Sequence, residues 1–577
     1  MKKTIMGLIA FSAVLTLTAC SHKSTESADT FNQSTTQTIE TENIKGKKDT
    51  ENNALEWLDV PYAQAERWQA PKEVDKWDDT FDATEYGEKD IQFSNNEVVG
   101  SENELNLDIV RPDTDETDLP VLVFLHGGNN QTGHAQEIKG NTLANDLNAV
   151  YVSVNYRLGA LGFNPLDALK TGSDEENSGN FALLDIAQAL DWVEKNIETF
   201  GGNKDNVTLA GFSAGGRDVM ATLISPTFKG KYDKAISFSG EMTLSDEEES
   251  QEIFATAIAP LVVEDGLQPT EEDAKNWLLE DNNEVADYLK NLSADRLAPL
   301  MGNAGICMSV FPHLYKDGTV IPEEGFETET FNDVPLMLVT GTNEFSLFIA
   351  SDERFAEDFN SGDLFQDEQK QAEFDYSRNY GGQLYRLANG VDSAGKYNSD
   401  IYISEIFYGD DSNVTPQLAS TLGAFHGIFK AMLQTPSNYA AFIGEEFDND
   451  GAKDMSSDFK DYLKNFLASG NPNDKNLVNW PKWSEQSEVL SISATENAKD
   501  IKAATDSETA SDILEKMQAD TTLSEGVKNE LNTTVLSGRW FSAPLDEIYS
   551  SQEEQVGEPL LPTLSLRGRS FLGTVLT

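Results

Sequence analysis

Cysteine is nearly absent from this chain. Only Cys20 and Cys307 occur among 577 residues, which excludes a disulfide framework as the source of stability. Histidine is almost as scarce, with five residues: His22, His126, His134, His313 and His426. Positive charge is outnumbered, 42 Lys and Arg against 99 Asp and Glu, for a net charge of −57. A field of that sign repels phosphate backbones, so no nucleic-acid partner is expected. The apolar run at residues 5–19 is too short to span a bilayer comfortably. A calcium loop is also missing. In Asp448-Asn449-Asp450-Gly451 the glycine falls too early for an EF-hand and no Glu closes the loop. A solvated acidic loop is expected there, and neither a metal nor a cofactor.

What is present divides the chain. Met1-Lys2-Lys3 precedes the apolar run, which ends Leu17-Thr18-Ala19-Cys20. That is the pattern of a lipoprotein signal peptide over 1–20, with Cys20 as the lipidated residue and the lipid as a membrane anchor outside the cytoplasm. Residues 21–53 are rich in Ser, Thr, Gln, Glu and Lys and predict a flexible polar tether. The aromatic content of 30 Phe, 16 Tyr and 8 Trp assigns a large core to the body at 54–577. Within it, 121–125, 150–154, 207–210 and 336–339 read as buried strands. Residues 181–200 carry apolar positions at helical spacing. Strand–helix–strand order predicts an α/β fold with a mostly parallel central sheet and helices on both faces. Residues 500–534 turn polar, with a helical pattern, and are expected at the periphery. Cys307 is expected to act as a small buried hydrophobe.

One short motif carries chemistry. Gly211-Phe212-Ser213-Ala214-Gly215 fits G-x-S-x-G, in which a serine sits on a sharp strand-to-helix turn and needs small neighbours. A β-branched strand precedes it and a helix-forming stretch follows. Serine needs a base, and in the α/β-hydrolase arrangement the order along the chain is Ser, acid, His. Only His313 and His426 follow Ser213. Gly423, Ala424 and Gly427 leave room around His426, so it is the candidate base, and His313 is expected to be structural or at the surface. Glu344 is the first carboxylate after the strand at 336–339, with Asp352 and Glu353 as alternatives. His126-Gly127-Gly128-Asn129 directly follows the strand at 121–125. Gly128, Asn129 and Ala214 are therefore expected to present backbone N–H groups to an oxyanion.

The chain resembles the type B carboxylesterases, the cholinesterase-like branch of the α/β-hydrolases. The resemblance runs from about residue 53 to 484. It rests on Val60-Pro61-Tyr62-Ala63, Trp77, Tyr86-Gly87, Ser101-Glu102, Asn155-Tyr156-Arg157-Leu158-Gly159 and Gly179-Asn180. It continues through Asn196-Ile197, Phe200-Gly201-Gly202-Asn203, the serine motif, Ser239-Gly240, His426, Gly470-Asn471-Pro472-Asn473 and Trp480-Pro481. It implies a cofactor-free serine hydrolase acting on a small-molecule carboxylic ester through Ser213, Glu344 and His426, with Ser239 supporting them from behind. Amide or carbamate cleavage by the same apparatus is an alternative. So is a non-catalytic surface-binding protein on the same fold, which competent residues at all three positions disfavour. The sequence departs from the family in four places. Phe212 stands where the family usually has Glu, and Asn129 where it has a third Gly. Asp90 and Glu104 occupy the positions of the first family disulfide, so the loop between them is expected to lack its staple. The spacing around Glu344 is shorter than usual.

Overall fold

The computed structural model describes residues 30–302, 308–395, 397–434, 439–484 and 486–549. Cys20, the rest of the signal motif and Cys307 lie outside them. The strands are, in chain order, β1 (Thr36–Thr38), β2 (Asn43–Lys45), β3 (Lys47–Asp49), β4 (Ala54–Pro61), β5 (Phe81–Asp82), β6 (Gln92–Ser94), β7 (Glu97–Val99) and β8 (Asn106–Pro112). They continue as β9 (Leu119–Leu125), β10 (Val150–Val154), β11 (Gly202–Phe212), β12 (Lys234–Phe238), β13 (Leu336–Gly341), β14 (Ile401–Ile406), β15 (Glu488–Ala494) and β16 (Lys499–Thr505). Eleven of them form one sheet in the order β16-β15-β14-β13-β12-β11-β9-β10-β8-β4-β3. The run from β10 to β15 is parallel throughout, and antiparallel strands close both edges. The four strands expected from apolar runs are β9, β10, β11 and β13, and they are adjacent or nearly so in the sheet.

Alternation along a strand sends neighbouring side chains to opposite faces. In β9, Val121, Val123 and Leu125 join one core, and Leu122 and Phe124 join the other. The helices used below are α1 (Phe181–Asn196), α2 (Ala214–Thr222), α3 (Glu368–Asn389), α4 (Phe429–Leu433), α5 (Asp450–Ser469) and α6 (Ala510–Ala519). Leu183, Ile186 and Leu190 of α1 pack in the first core, and Phe459, Leu463 and Phe466 of α5 in the second. Both faces are therefore covered, as the continuous apolar strands require. Asn449 caps α5, its Oδ1 accepting from the Ala452 N–H at 2.8 Å, so the acidic stretch there is a helix start.

Three expectations need correction. Residues 30–53 are not a tether: they form β1, β2 and β3, with Phe31, Ile39 and Ile44 buried in the first core. A few apolar residues at the right places outweigh a polar average when a sheet edge and a preformed core are waiting for them. Residues 499–505 are strand, not helix. β16 pairs antiparallel with β15 and carries Lys499 and Lys502 along a sheet edge, where charge discourages further pairing. The chain then returns to helix in α6, whose Ile513 and Met517 are buried. Finally, the loop from 90 to 104 is stapled without a disulfide. The Asp90 carboxylate accepts from the N–H groups of Asn103 (3.2 Å) and Leu158 (2.9 Å).

A buried ion pair locks the loop after β10 to α1. Arg157 donates from Nε and Nη2 to the two oxygens of Asp185 at 2.7 and 2.6 Å, and its backbone N–H adds a third bond at 3.1 Å. Both side chains are inaccessible to solvent. Removing one partner leaves a buried charge alone, which costs about 3–5 kcal/mol. Arg157→Met is expected to lower the unfolding free energy measured by urea denaturation by that margin, and Arg157→Met with Asp185→Leu to recover most of it. A single variant as stable as the parent would show that the pair contributes nothing.

Candidate active site

The parallel strands end at one rim, and the candidate residues collect there, at the carboxyl ends where open α/β sheets place ligands. Ser213 sits between β11 and α2 with φ 56° and ψ −118°, a conformation costly for a residue with a Cβ. Its N–H is held by the carbonyl of Phe238 at 2.9 Å. Gly215 permits the turn, because a Cβ there would stand 2.6 Å from the His126 carbonyl oxygen. The strand, the turn and the helix named in the sequence reading are all present.

Glu344 lies in the turn after β13 and is fully buried. Its Oε1 accepts from Ser239 Oγ (2.7 Å), Thr340 Oγ1 (3.1 Å) and the Gly341 N–H (2.5 Å). Its Oε2 is left for His426 Nδ1 at 2.6 Å. A carboxylate there can only accept, so the ring proton is on Nδ1 and Nε2 presents a lone pair. That nitrogen is buried and has no hydrogen-bond partner among the described residues. The imidazole ring lies 4.8 Å from Phe212, 5.1 Å from Phe348 and 5.6 Å from Tyr385, centroid to centroid. These aromatic walls set its plane beside the serine turn. The Asn343 N–H bonds to the Ala424 carbonyl at 3.0 Å, tying the Glu344 turn to the His426 loop. Of the alternative acids, Asp352 faces Arg539 at 3.5 Å and Glu353 is exposed.

The loop after β9 faces the same turn. A Cβ on Gly127 would lie 2.9 Å from the Phe212 ring and 3.2 Å from the Ser213 Cβ. Gly128 has φ 112°, and Asn129 and Asn130 have φ 57° and 54°. Asparagine tolerates this left-handed region better than most residues, so Asn129 takes the third-glycine position without breaking the loop. Ala214 opens α2, where N–H groups point out of the helix end. The other histidines have structural settings. His313 accepts from Arg217 Nη1 at 2.8 Å and donates from Nδ1 to the Phe311 carbonyl at 2.9 Å. Burial, then the Arg217 charge, drive its pKa well below the usual value. His134 caps a short 3-10 turn, accepting from Gln136 N–H at 3.2 Å.

The sequence reading missed the Thr340 and Gly341 donors and the Phe348 and Tyr385 walls, which carry no motif. It also missed a buried polar group behind the serine. Arg217 lies one turn along α2, with its guanidinium 3.3 Å from the Trp540 ring. Burial raises the Asp218 carboxyl to about 7 and the Glu241 carboxyl to about 8, against the pull of Arg217. An unfolded chain loses both protons near pH 4, whereas the folded protein keeps them to about 7 and 8. Stability therefore falls as pH rises through that window. Denaturation midpoints between pH 5 and pH 8 are expected to decline, and Asp218→Asn with Glu241→Gln to flatten that decline. An equal slope in the variant would contradict the assignment.

A family model described as the carboxylesterase family matches residues 33–389, a span containing Ser213 and Glu344 but ending before His426. The para-nitrobenzyl esterase of Bacillus subtilis is 32% identical over 331 residues, covering 55% of this chain and 65% of that protein. The chain thus spans just under two thirds of that relative's length. Carboxylesterase 1C of Rattus norvegicus is 29% identical over 435 residues, covering 68% of this chain and 74% of that protein. Among solved structures, a PNB esterase superposes with a TM-score of 0.59 at 26% identity, over 84% of this chain and 99% of the other.

Proposed function

The chain belongs to the carboxylesterase family, and from that premise we propose that it hydrolyses carboxylic esters by covalent catalysis at Ser213. The observation that carries the reading is the pair His426 Nδ1–Glu344 Oε2 at 2.6 Å, with Nε2 left unpartnered beside the serine turn. In the proposed reaction Ser213 Oγ attacks the ester carbonyl carbon as its proton passes to His426 Nε2. The carbonyl oxygen becomes an oxyanion and is met by the N–H groups of Gly128, Asn129 and Ala214. One well-placed donor of this kind contributes about 3–4 kcal/mol to the transition state. The C–O bond to the alcohol breaks as His426 returns the proton to the leaving oxygen. Water then attacks the acyl-enzyme, giving its proton to His426, and the carboxylic acid leaves with Ser213 restored.

Glu344 serves this sequence by fixing the ring tautomer and by offsetting the positive charge that His426 carries between the two proton transfers. Ser239 and Thr340 hold Glu344 in turn. The site residues contribute every proton transfer that the reaction needs, so the mechanism draws on no cofactor.

Treatment with a fluorophosphonate probe followed by peptide mapping is expected to label Ser213. Ser213→Ala is expected to lose the label and at least about 10³-fold in kcat on p-nitrophenyl acetate. Undiminished turnover in that variant would place the nucleophile elsewhere, and a folded protein that takes no label would remove the esterase reading.

Lipid attachment at Cys20 and anchoring outside the cytoplasm belong to the same proposal and rest on the sequence motif alone. Among the described residues no helix is long and apolar enough to cross a membrane. Cys20→Ser is expected to move the protein from the membrane fraction to the soluble fraction; retention on membranes would end the lipoprotein reading.

A further inference from the structure

The oxyanion loop is gripped at two successive peptides that meet at Gly127. The Gly127 N–H donates to Glu137 Oε2 at 2.9 Å, and the Gly127 carbonyl accepts from His126 Nδ1 at 2.8 Å. The carbonyl of Gly127 and the N–H of Gly128 belong to one planar unit and point in opposite directions. Fixing that carbonyl toward His126 therefore aims the Gly128 N–H the other way. His126 is itself immobilised, stacked on Tyr156 with ring centroids 4.5 Å apart.

Glu137 in turn is held by a buried cation. Lys430 Nζ lies 2.9 Å from Glu137 Oε1, with 1% of the lysine side chain and 9% of the glutamate side chain exposed. Lys430 belongs to α4, four residues after His426. Its ammonium also stands 4.4 Å from the Phe212 ring centroid and 4.1 Å from that of Tyr439. The residue before the candidate nucleophile, the helix after the candidate base and the oxyanion loop thus meet at one ion pair. Two desolvated charges are retained here where apolar residues would pack at less cost.

We propose that Lys430 and Glu137 are positioning residues for the oxyanion hole: Lys430 fixes the Glu137 carboxylate, the carboxylate fixes the His126–Gly127 peptide, and that peptide leads into the next one, held by His126, which carries the Gly128 N–H. The inference rests on the esterase reading above. Neither residue touches substrate. Each acts through the loop, so losing either should lower kcat and leave KM nearly unchanged, because a misaimed donor fails the oxyanion more than the neutral ester.

The ion pair also has a pH signature. Lys430 and Tyr439 face Glu137 from the α4 side, His126 and His134 from the loop and its own turn, and Tyr151 and Tyr156 electrostatically from beneath. Burial pushes the Glu137 carboxyl up, but Lys430 and the Gly127 N–H outweigh it and hold it below the usual value. Without Lys430 the largest opposition to the burial cost is gone, only the Gly127 N–H and His126 still pull the other way, and the carboxyl rises. The two facing histidines are lowered by burial, His134 to about 4, and the buried tyrosines are raised.

The test is steady-state hydrolysis of p-nitrophenyl acetate from pH 5 to 9, with folding followed by denaturant melts. Glu137→Gln is expected to lose about 10- to 100-fold in kcat with KM within about threefold, less than the ~10²–10³ for outright loss of a donor. Lys430→Met is expected to move the acidic limb of the kcat profile to higher pH, and Lys430→Arg to restore both kcat and profile. The double variant Glu137→Leu with Lys430→Met removes both charges and is expected to fold. It should keep a low kcat without the displaced limb. A folded double variant with wild-type kcat, or a Lys430→Met protein that loses only stability while its pH profile stays in place, would overturn the inference. A wild-type protein without turnover overturns the esterase reading and this inference with it. An active wild type with indifferent variants overturns the inference alone.

Discussion

Everything at the site hangs on one backbone conformation. Ser213 has positive φ in a position where no glycine can relieve it, and the strain persists only because its surroundings leave no other arrangement. Phe238 holds its N–H from the neighbouring strand, α2 begins at the next residue, and Gly215 lets the His126 carbonyl come close. Ser239, at the end of the adjacent strand β12, repeats the device with φ 52°, and its hydroxyl is thereby turned to Glu344. Two strained serines at neighbouring strand ends thus define where the acid and the candidate nucleophile stand. The sheet supplies the rigidity that keeps them there.

The parts of this arrangement that could be read from the sequence are those with a local pattern. β9, β10, β11 and β13 show as continuous apolar runs because parallel strands are buried on both faces. The G-x-S-x-G turn shows because only small residues fit around it. His426 shows because so few histidines compete. Glu344 was reachable as the first acid past a strand, although Asp352 and Glu353 were separated from it only by the fold. What stayed hidden depends on contacts between segments far apart in the chain. Nothing in the local sequence marks Tyr385, on α3, as a wall for His426, or Lys430 as the partner of Glu137, 293 residues away. Residues 30–53 misled for a related reason. Their average composition is polar, but Ile44 and Phe31 are the residues the first core needs, and an average conceals single side chains.

The departures from the family pattern look different once packing is known. Asn129 adopts the left-handed backbone that glycine usually provides, at little cost for asparagine. Asp90 replaces a covalent link with two hydrogen bonds from backbone N–H groups, which hold the same loop at the price of burying a carboxylate. Phe212 takes the place of an acid, and its ring packs between His426, Phe429 and the ammonium of Lys430. Glu137, in the loop after β9, is the ion-pair partner of that ammonium and accepts from the Gly127 N–H. Each substitution keeps a geometric requirement and changes the chemistry that meets it.

Charge economy explains why these replacements can be recognised at all. In a chain of net charge −57, cations are scarce and the surface absorbs most acids without consequence. Arg111, Arg157, Arg217, Lys234, Arg386, Lys430 and Lys528 are nevertheless buried. A buried cation needs a partner or an array of oxygens, so each must be tied to particular groups. Arg111 donates to carbonyls of residues 112, 114, 116 and 200, and Arg157 to Asp185. Arg217 and Lys430 are the two that border the serine turn, one along α2 and one against Phe212. Burying the Lys430–Glu137 pair is expensive in free energy, and apolar residues in place of both partners together would bring at least as much stability. Two of the seven buried cations thus stand beside one turn of backbone, and through Glu137 one of them is tied to the loop after β9 that faces the same turn.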